Sequence, residues 1–510
     1  ELRARAERGE HSLLIVPEQF TSSTEGLLYR TLGDSLSAYV ESYSFTSLAE
    51  TILRRYGGAA VQTLDEAGRA LLVRRAVDSL LDKVVYYSRQ RKSAAFCEKA
   101  AQTIGEMKSA GITPDALAAY AAVPGMDKEK IDELALIYGA YESLLGQSVM
   151  DPTDRQQLAA QRLQPDFFAG RAVFVDEFDT FNAPKRALLA AMLPTADVTV
   201  CLCCDGEIDP DHGLGLFSGA KKVAATLRRM AADAGVDVHT ETLRDDLRHA
   251  DAPALAELNL LLADPTYTPE PLPADAPAQI TYCAAPTRQA EAKAVAAEIA
   301  ARARQGTPYH RMAVICRDTT RYLAALRYEF RLQNIPLFCD DATTPENTAP
   351  AQAVFAALDI LRMGLGSRTI QRLIKTGLVH LPERVLCALE NYTYTWGLSA
   401  EDWRHPFTRS AAGYDGMETE QEQQVLADAE TARAAIVPTA QEFAAKAKGA
   451  SAAELTRQIF LFLQALGAED SLNELAADLR AAGRLPEADE ALREWNVVMR
   501  LLNQLALLLG

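Results

Sequence analysis

Short apolar runs alternate with helical periodicity over the first sixty residues. The run from Ser12 to Val16, closed by Pro17, reads as a buried parallel strand, because a strand covered on both faces shows little polar alternation. A helical pattern follows from about residue 22 to 32. An extended stretch at 38–44 comes next, then a helix from about 46 to 56 stopped by Gly57 and Gly58. From Leu64 to about Leu145 the pattern becomes helix upon helix. Ala70, Val73, Val77 and Leu80 recur at helical spacing, as do Ile131, Leu134, Ile137 and Tyr141. This block reads as a helical insertion. The sheet resumes at Ala172 to Val175, followed by a helix at 183–193, a strand from Val198 to Cys204 and a helix at 220–234.

A stretch rich in Pro, Ala and Asp, Asp264 to Pro277, reads as a linker. Beyond it the pattern predicts a second α/β unit. Its strands are expected at Ile280 to Ala284, Met312 to Cys316 and Pro336 to Cys339, with helices at 289–304 and 321–333. From Ala349 onward the pattern is almost wholly helical. The organisation expected is a first α/β domain over 1–60 and 165–265, a helical insertion over 61–164, the start of a second α/β domain at 278–345, and a further helical insertion over 346–510. Three strands make a poor complete sheet, so the closing strands of the second domain are expected beyond Gly510.

With 510 residues, 48% of them hydrophobic, the chain has material for about three or four domains at roughly 100–200 residues each. No apolar run approaches the ~20 residues that a membrane span needs. The chain starts at Glu1 and stops inside the apolar run Val497 to Leu509, and both ends are expected to be cuts through a longer protein. A net charge of −17 argues against coating nucleic acid through bulk charge. Local clusters such as Arg54-Arg55, Arg74-Arg75 and Arg89 to Lys92 remain compatible with a groove that threads DNA. The eight cysteines mostly occupy apolar stretches and are expected to be buried thiols of a cytoplasmic protein. Cys201 and Cys204 form a C-x-x-C without a second pair or a histidine cluster, so core thiols are expected rather than metal ligands.

Asp176 and Glu177 follow the apolar run Ala172 to Val175 in the manner of a Walker B strand. There the Asp organises a magnesium ion and the Glu orients the attacking water. The same letters also describe a buried strand ending in two solvated acids. The phosphate loop G-x-x-x-x-G-K-[ST] that would complete a nucleotide site is absent. Gly215 to Lys222 has the wrong spacing, and the loop is expected before the helix containing Glu1.

Ser44-Phe45-Thr46-Ser47-Leu48-Ala49, followed by Ile52-Leu53-Arg54-Arg55, resembles the T-F-H-S-x-A…I-L-R-R segment of superfamily-1 helicases of the UvrD/RecB type, with Thr46 in place of His. In those proteins an aromatic there can stack on a base and the hydroxyls can reach a phosphate. A capped helix start with Phe45 as a staple is the plainer reading, and the two are compatible. Val16-Pro17-Glu18-Gln19-Phe20-Thr21, with Glu25 behind it, looks like the V-P-[DE]-Q-x-T segment of the AddB/RexB family. Further matches follow in order: Gly57-Gly58, Leu64 to Arg69, FVDEFDTF at 174–181, RMAVICRD at 311–318, Asn334 to Phe338 with Asp340, Lys375 to Leu378, and Glu390 to Tyr392 with Trp396 and Trp403.

This resemblance implies an α/β protein of two RecA-like, superfamily-1 helicase-like units with large helical insertions. It also implies a role in double-strand break resection beside an AddA/RexA-type helicase–nuclease subunit, handling single-stranded DNA and reading a Chi-like hotspot. ATP and magnesium would serve the parent complex, and an iron–sulfur cluster would belong to a nuclease domain beyond this chain. Gln19, Thr21, Phe45, Thr46 and Ser47 are the expected DNA contacts, and Asp176 and Glu177 a degenerate Walker B pair. Ser47 and Glu50 depart from the Arg and aromatic residue that family members often carry. No catalysis is expected of this stretch by itself. The rival reading is a degenerate helicase fold that mainly holds its partner subunit. Arg317 and Asp318 suit a cleft-facing or surface pair, Lys375 to Gly377 a helix stop, and Trp396 and Trp403 core or domain-interface aromatics rather than base stackers.

Overall fold

Four parallel strands form the sheet around which the first part of the chain is built. The computed structural model describes residues 1–80, 83–145, 149–204, 215–243, 245, 247, 249–264, 266–271, 279–339, 345–414 and 419–509. Helix α1 (Leu2–Glu7) leads into β1 (His11–Ile15), α2 (Thr21–Ser37), β2 (Val40–Tyr43) and α3 (Phe45–Tyr56). Strand β3 (Gln62–Thr63) opens the helical insertion of α4 (Glu66–Ser79), α5 (Ala94–Ala110), α6 (Pro114–Tyr120) and α7 (Lys128–Leu145). Strand β4 (Val149–Met150) closes it by pairing with β3, so two extended residues on each side pin the base of the insertion. Then come α8 (Pro152–Arg162), β5 (Arg171–Val175), α9 (Ala183–Met192), β6 (Asp197–Val200) and α10 (Ser218–Asp233).

The main sheet has the order β2-β1-β5-β6, with every neighbouring pair parallel. Alternate residues of the central strands face two different cores. Leu13, Ile15, Val173 and Val175 meet Phe45, Leu48, Ile52 and Leu188 on one side. Leu14, Val16, Ala172 and Phe174 meet Leu32 and Val40 on the other. Burial on both faces is what the unbroken apolar runs in β1 and β5 require.

The helical insertion has its own core, including Leu72, Val73, Val77, Ile104, Ile137 and Tyr141. Gly105 in α5 leaves the space that the Arg69 guanidinium occupies, since a Cβ there would stand 1.9 Å from Arg69 Nη2.

Two compact units emerge from the contacts within the chain: Glu1–Pro210 with Phe217–His239 and Thr344–Gly510, and Asp211–Leu216 with Thr240–Thr343. The second unit contains α11 (Pro253–Ala263), α12 (Arg288–Arg304) and α13 (Thr319–Leu332). Helices α12 and α13 pack through Ala292, Ala296, Leu326 and Phe330. The strands expected at 280–284, 312–316 and 336–339 do not form. These segments pair with no neighbour among the described residues, and Tyr282, Ile315 and Phe338 are 91%, 95% and 91% exposed. A strand is stabilised by its ladder and a covered face, and here neither is supplied. Asp318 caps α13 through the Thr320 N–H and pairs with Arg321, so it does not form the anticipated pair with Arg317. Half of the expected linker lies outside the described residues, as does Asp340.

The first unit continues with α14 (Ala349–Met363), α15 (Ser367–Ile374), α16 (Glu383–Trp396), α17 (Glu420–Ala447), α18 (Ala452–Ala465), α19 (Ala468–Ala481) and α20 (Leu485–Leu509). Trp403 is fully buried in their core and Trp396 packs against it, as expected of core aromatics. Lys375 to Gly377 follows the end of α15, with Gly377 at φ +72°, and is a helix stop. Helix α20 returns to the first insertion, where Arg75 Nη1 donates to the Leu508 carbonyl at 2.8 Å.

The expectation of buried thiols fails for most cysteines. Cys97 is buried, whereas Cys201, Cys203, Cys283 and Cys387 are exposed and Cys204, Cys316 and Cys339 half-buried. Strand β6 ends at Val200, so its alternation does not extend to Cys201 and Cys204. Cys283, Cys316 and Cys339 lie on or beside the segments that stay outside a sheet.

Candidate nucleic-acid interface at the carboxyl edge of the sheet

Because all four strands run the same way, the loops that leave them share one edge. From β1 the chain turns to β2 on one side, and it returns at β5 on the other. The β1/β5 pair is therefore a topological switch point, where diverging loops leave a crevice suited to ligands. The segments 16–21, 44–47 and 176–181 border this edge.

After β1, Glu18–Phe20 forms a single 3-10 turn in which Glu18, Gln19 and Phe20 are exposed. Gln19 makes no side-chain hydrogen bond among the described residues, so its amide is available to solvent. Thr21 opens α2 and its hydroxyl donates to the Glu18 carbonyl at 2.9 Å, which closes the turn.

After β2, Ser44 caps α3. Its Oγ accepts from the Ser47 N–H at 3.0 Å, and the Ser44 N–H donates to Ser47 Oγ at 2.8 Å, a reciprocal capping box. Thr46 and Ser47 are exposed, and Thr46 Oγ1 accepts from Gln156 Nε2 at 3.2 Å. Phe45 does not offer the stacking face expected of it. It is 2% exposed and packs against Phe178 and Phe181, with ring centroids 5.2 and 6.1 Å away. Phe45, Leu48, Ala49 and Ile52 form the buried stripe of α3, so helical geometry turns the ring toward the sheet.

After β5, the Asp176 N–H donates to the Ile15 carbonyl at 3.0 Å, prolonging the ladder by one residue. Asp176 Oδ1 accepts from the Glu177 N–H at 2.9 Å, and Glu177 takes a φ of +65°. A positive φ is costly for a side-chain-bearing residue, and such strain gathers at functional edges and switch regions. Among the described residues no third metal-ligating side chain joins Asp176 and Glu177. The neighbouring β1 loop presents Glu18, whose charge opposes a triphosphate.

Lys185, in the first turn of α9, escapes motif reading. Its Nζ lies 5.0 Å from the Phe178 ring centroid and 5.7 Å from that of Phe45. Burial pushes its pKa below the ordinary lysine value, with Glu18 opposing that shift. The available sequence signal was a basic residue just inside the helix that follows the Walker B-like strand.

A family model described as "ADDB, N-terminal" matches residues 1–259, just over half of the chain. The chain belongs to the AddB family. Similar proteins include an ATP-dependent helicase/deoxyribonuclease subunit of Moorella thermoacetica, 30% identical over 99% of this chain and 45% of the relative. The protein of the same description from Desulforamulus reducens is 27% identical over 100% of this chain and 45% of its own length. That from Acetivibrio thermocellus is 25% identical over 100% and 46%. The chain thus spans somewhat under half the length of these AddB relatives. The AddB-matched region takes in the whole four-stranded sheet and therefore the crevice. Among the described residues no helix is long and apolar enough to cross a membrane.

Proposed function

We propose that this chain is the strand-handling part of an AddAB-type helicase–nuclease subunit acting in double-strand break resection. The carboxyl edge of its sheet would be the surface that meets single-stranded DNA and contributes to reading a Chi-like hotspot. The observation carrying this reading is the convergence of three loops at the β1/β5 switch point, with Gln19 and Thr46 exposed on two of them. The Gln19 amide can hydrogen-bond base edges, and the hydroxyls of Thr21 and Thr46 suit base or phosphate oxygens. Ser47 serves the helix cap first, and Phe45 supports the edge from beneath.

In the parent protein we assign ATP and magnesium to the complex, with an AddA/RexA-type subunit as partner and DNA ends as substrate. An iron–sulfur cluster would belong to a nuclease domain outside this chain, and the location would be cytoplasmic. We read the four-stranded sheet as the core of one RecA-like unit and the helices over 61–164 as its insertion. The unit containing α12 and α13 would be the counterpart of a second RecA-like unit, its helices packing without a paired strand among the described residues. The rival reading, a scaffold that holds the partner, draws on the exposed Leu27 and Tyr29 of α2. Fluorescence anisotropy of labelled single-stranded DNA with the full-length subunit in its complex separates the two. A Gln19→Ala/Thr46→Ala variant should bind several-fold more weakly. Unchanged DNA affinity with weakened subunit association would favour the scaffold.

A further inference from the structure

Lys185 stands where the loops after β2 and β5 meet. Its ammonium stands over Phe45 from the loop after β2 and Phe178 from the loop after β5, while Glu18 from the loop after β1 contributes to its electrostatic environment. Among the described residues no carboxylate lies within 4.0 Å of Nζ and no acceptor takes its hydrogen bonds. The adjacent Arg186, by contrast, is committed to the Phe181 carbonyl at 2.6 Å. Lys185 also lies in the first turn of α9, where the helix dipole disfavours a positive charge. The site thus holds a half-buried cation against burial and dipole, with ring faces as its main compensation.

We propose that Lys185 is a phosphodiester contact for the single strand, held in place by the Phe45–Phe178 pair. This deepens the reading of the carboxyl edge as a DNA surface and rests on it. The motif aromatic then acts as the platform beneath the cation, and Lys185 makes the contact with the strand. The acids nearby (Glu18, Asp176, Glu177 and Asp179) oppose phosphates elsewhere along the edge. They restrict the backbone contact to the position of Lys185 and leave Gln19 and Thr46 to face bases.

The test is a salt series of oligothymidylate binding to the full-length subunit in its complex, comparing the parent with Lys185→Met and Lys185→Arg. Loss of one single-strand phosphate contact lowers the slope of log K against log salt by about 0.7, equivalent to roughly fivefold weaker binding at 0.1 M salt. Lys185→Met should show that change and melt no lower than the parent, and Lys185→Arg should restore the slope. If the parent binds and Gln19→Ala weakens it while Lys185→Met keeps the parental slope, this inference is wrong and the broader reading stands. If the parent itself shows no salt-dependent binding, both fall. A second readout needs no substitution. Acylation of Lys185 by an amine-reactive ester, followed by mass spectrometry, should slow when oligothymidylate is bound. An unchanged acylation rate in the bound state overturns the contact.

Discussion

Phe45 and Phe178 meet edge to face, with ring centroids 5.2 Å apart and planes at 69°, and so tie the loop after β2 to the loop after β5. Edge-to-face pairs of this kind contribute about 0.5–1.5 kcal/mol beyond the area they bury. Phe45→Ala should therefore act first on stability, costing about 3–5 kcal/mol in chemical denaturation. Phe45→Leu keeps most of the volume and should cost much less, but it removes one of the two ring faces beneath Lys185 and should weaken DNA binding by no more than Lys185→Met does. A larger loss of DNA binding by a fully stable Phe45→Leu protein would return the ring to a direct stacking role.

Lys108 joins three helices of the insertion and its approach. Its side chain is 5% exposed, and Nζ reaches Asp154 at 2.8 Å and also pairs with Glu142. Burial opposes the charge, but the hydrogen bonds to Asp154 and Glu142 outweigh it and hold the ammonium's pKa above its ordinary value. Removing one partner of a buried ion pair costs about 3–5 kcal/mol. Both acids keep roughly a third of their side-chain exposure, so Lys108→Met should fall near the lower bound, about 3 kcal/mol by urea titration. A neutral result would show that the acids rehydrate freely.

Arg155 grips Glu50 through Nε and, at 2.8 Å, through Nη2, and it also donates to the carbonyls of Val61 and Ala59. The hydrogen bond from Arg155 holds the Glu50 carboxyl below its usual value of 4.5. A depressed folded-state pKa contributes stability that is present above the unfolded value and lost as pH falls through the folded one. Melting temperatures measured from neutral pH down through 4.5 should fall more steeply for the parent than for Glu50→Gln. Parallel curves would mean that this pair contributes nothing to the acid limb.

How much of this was legible in the sequence depended on whether local pattern or long-range pairing decided the outcome. The runs ending at Val16 and Val175 specified buried strands because both faces of each find cover inside the same unit. The run Met312 to Cys316 has equal apolar content but no paired neighbour among the described residues, and Ile315 lies in solvent. The Ser44 cap was legible because capping is local. The orientation of Phe45 was legible only through the α3 stripe, which points it inward. Lys185 could not be found by motif, since its environment is assembled from loops far apart in sequence.

Thiol reactivity offers a direct check on the altered picture of the cysteines. In the native protein Cys203, Cys283 and Cys387 should react quickly with a maleimide, and the exposed Cys201 more slowly, because burial and the nearby Asp176 carboxylate push its thiol pKa up. Cys97 is buried, and burial pushes its thiol pKa up, so it should react only on unfolding. Fast native labelling of Cys97 would contradict the packing of α5.

The central claim is that single-stranded DNA meets this chain at the carboxyl edge of its parallel sheet, and cross-linking with residue-level mass spectrometry tests it most directly. A photoreactive oligothymidylate bound to the full-length subunit in its complex should form adducts on residues 18–21, 46–47 and 179–185. Adducts confined to the amino ends of the strands, or absent from this sheet while present elsewhere in the complex, would contradict the account.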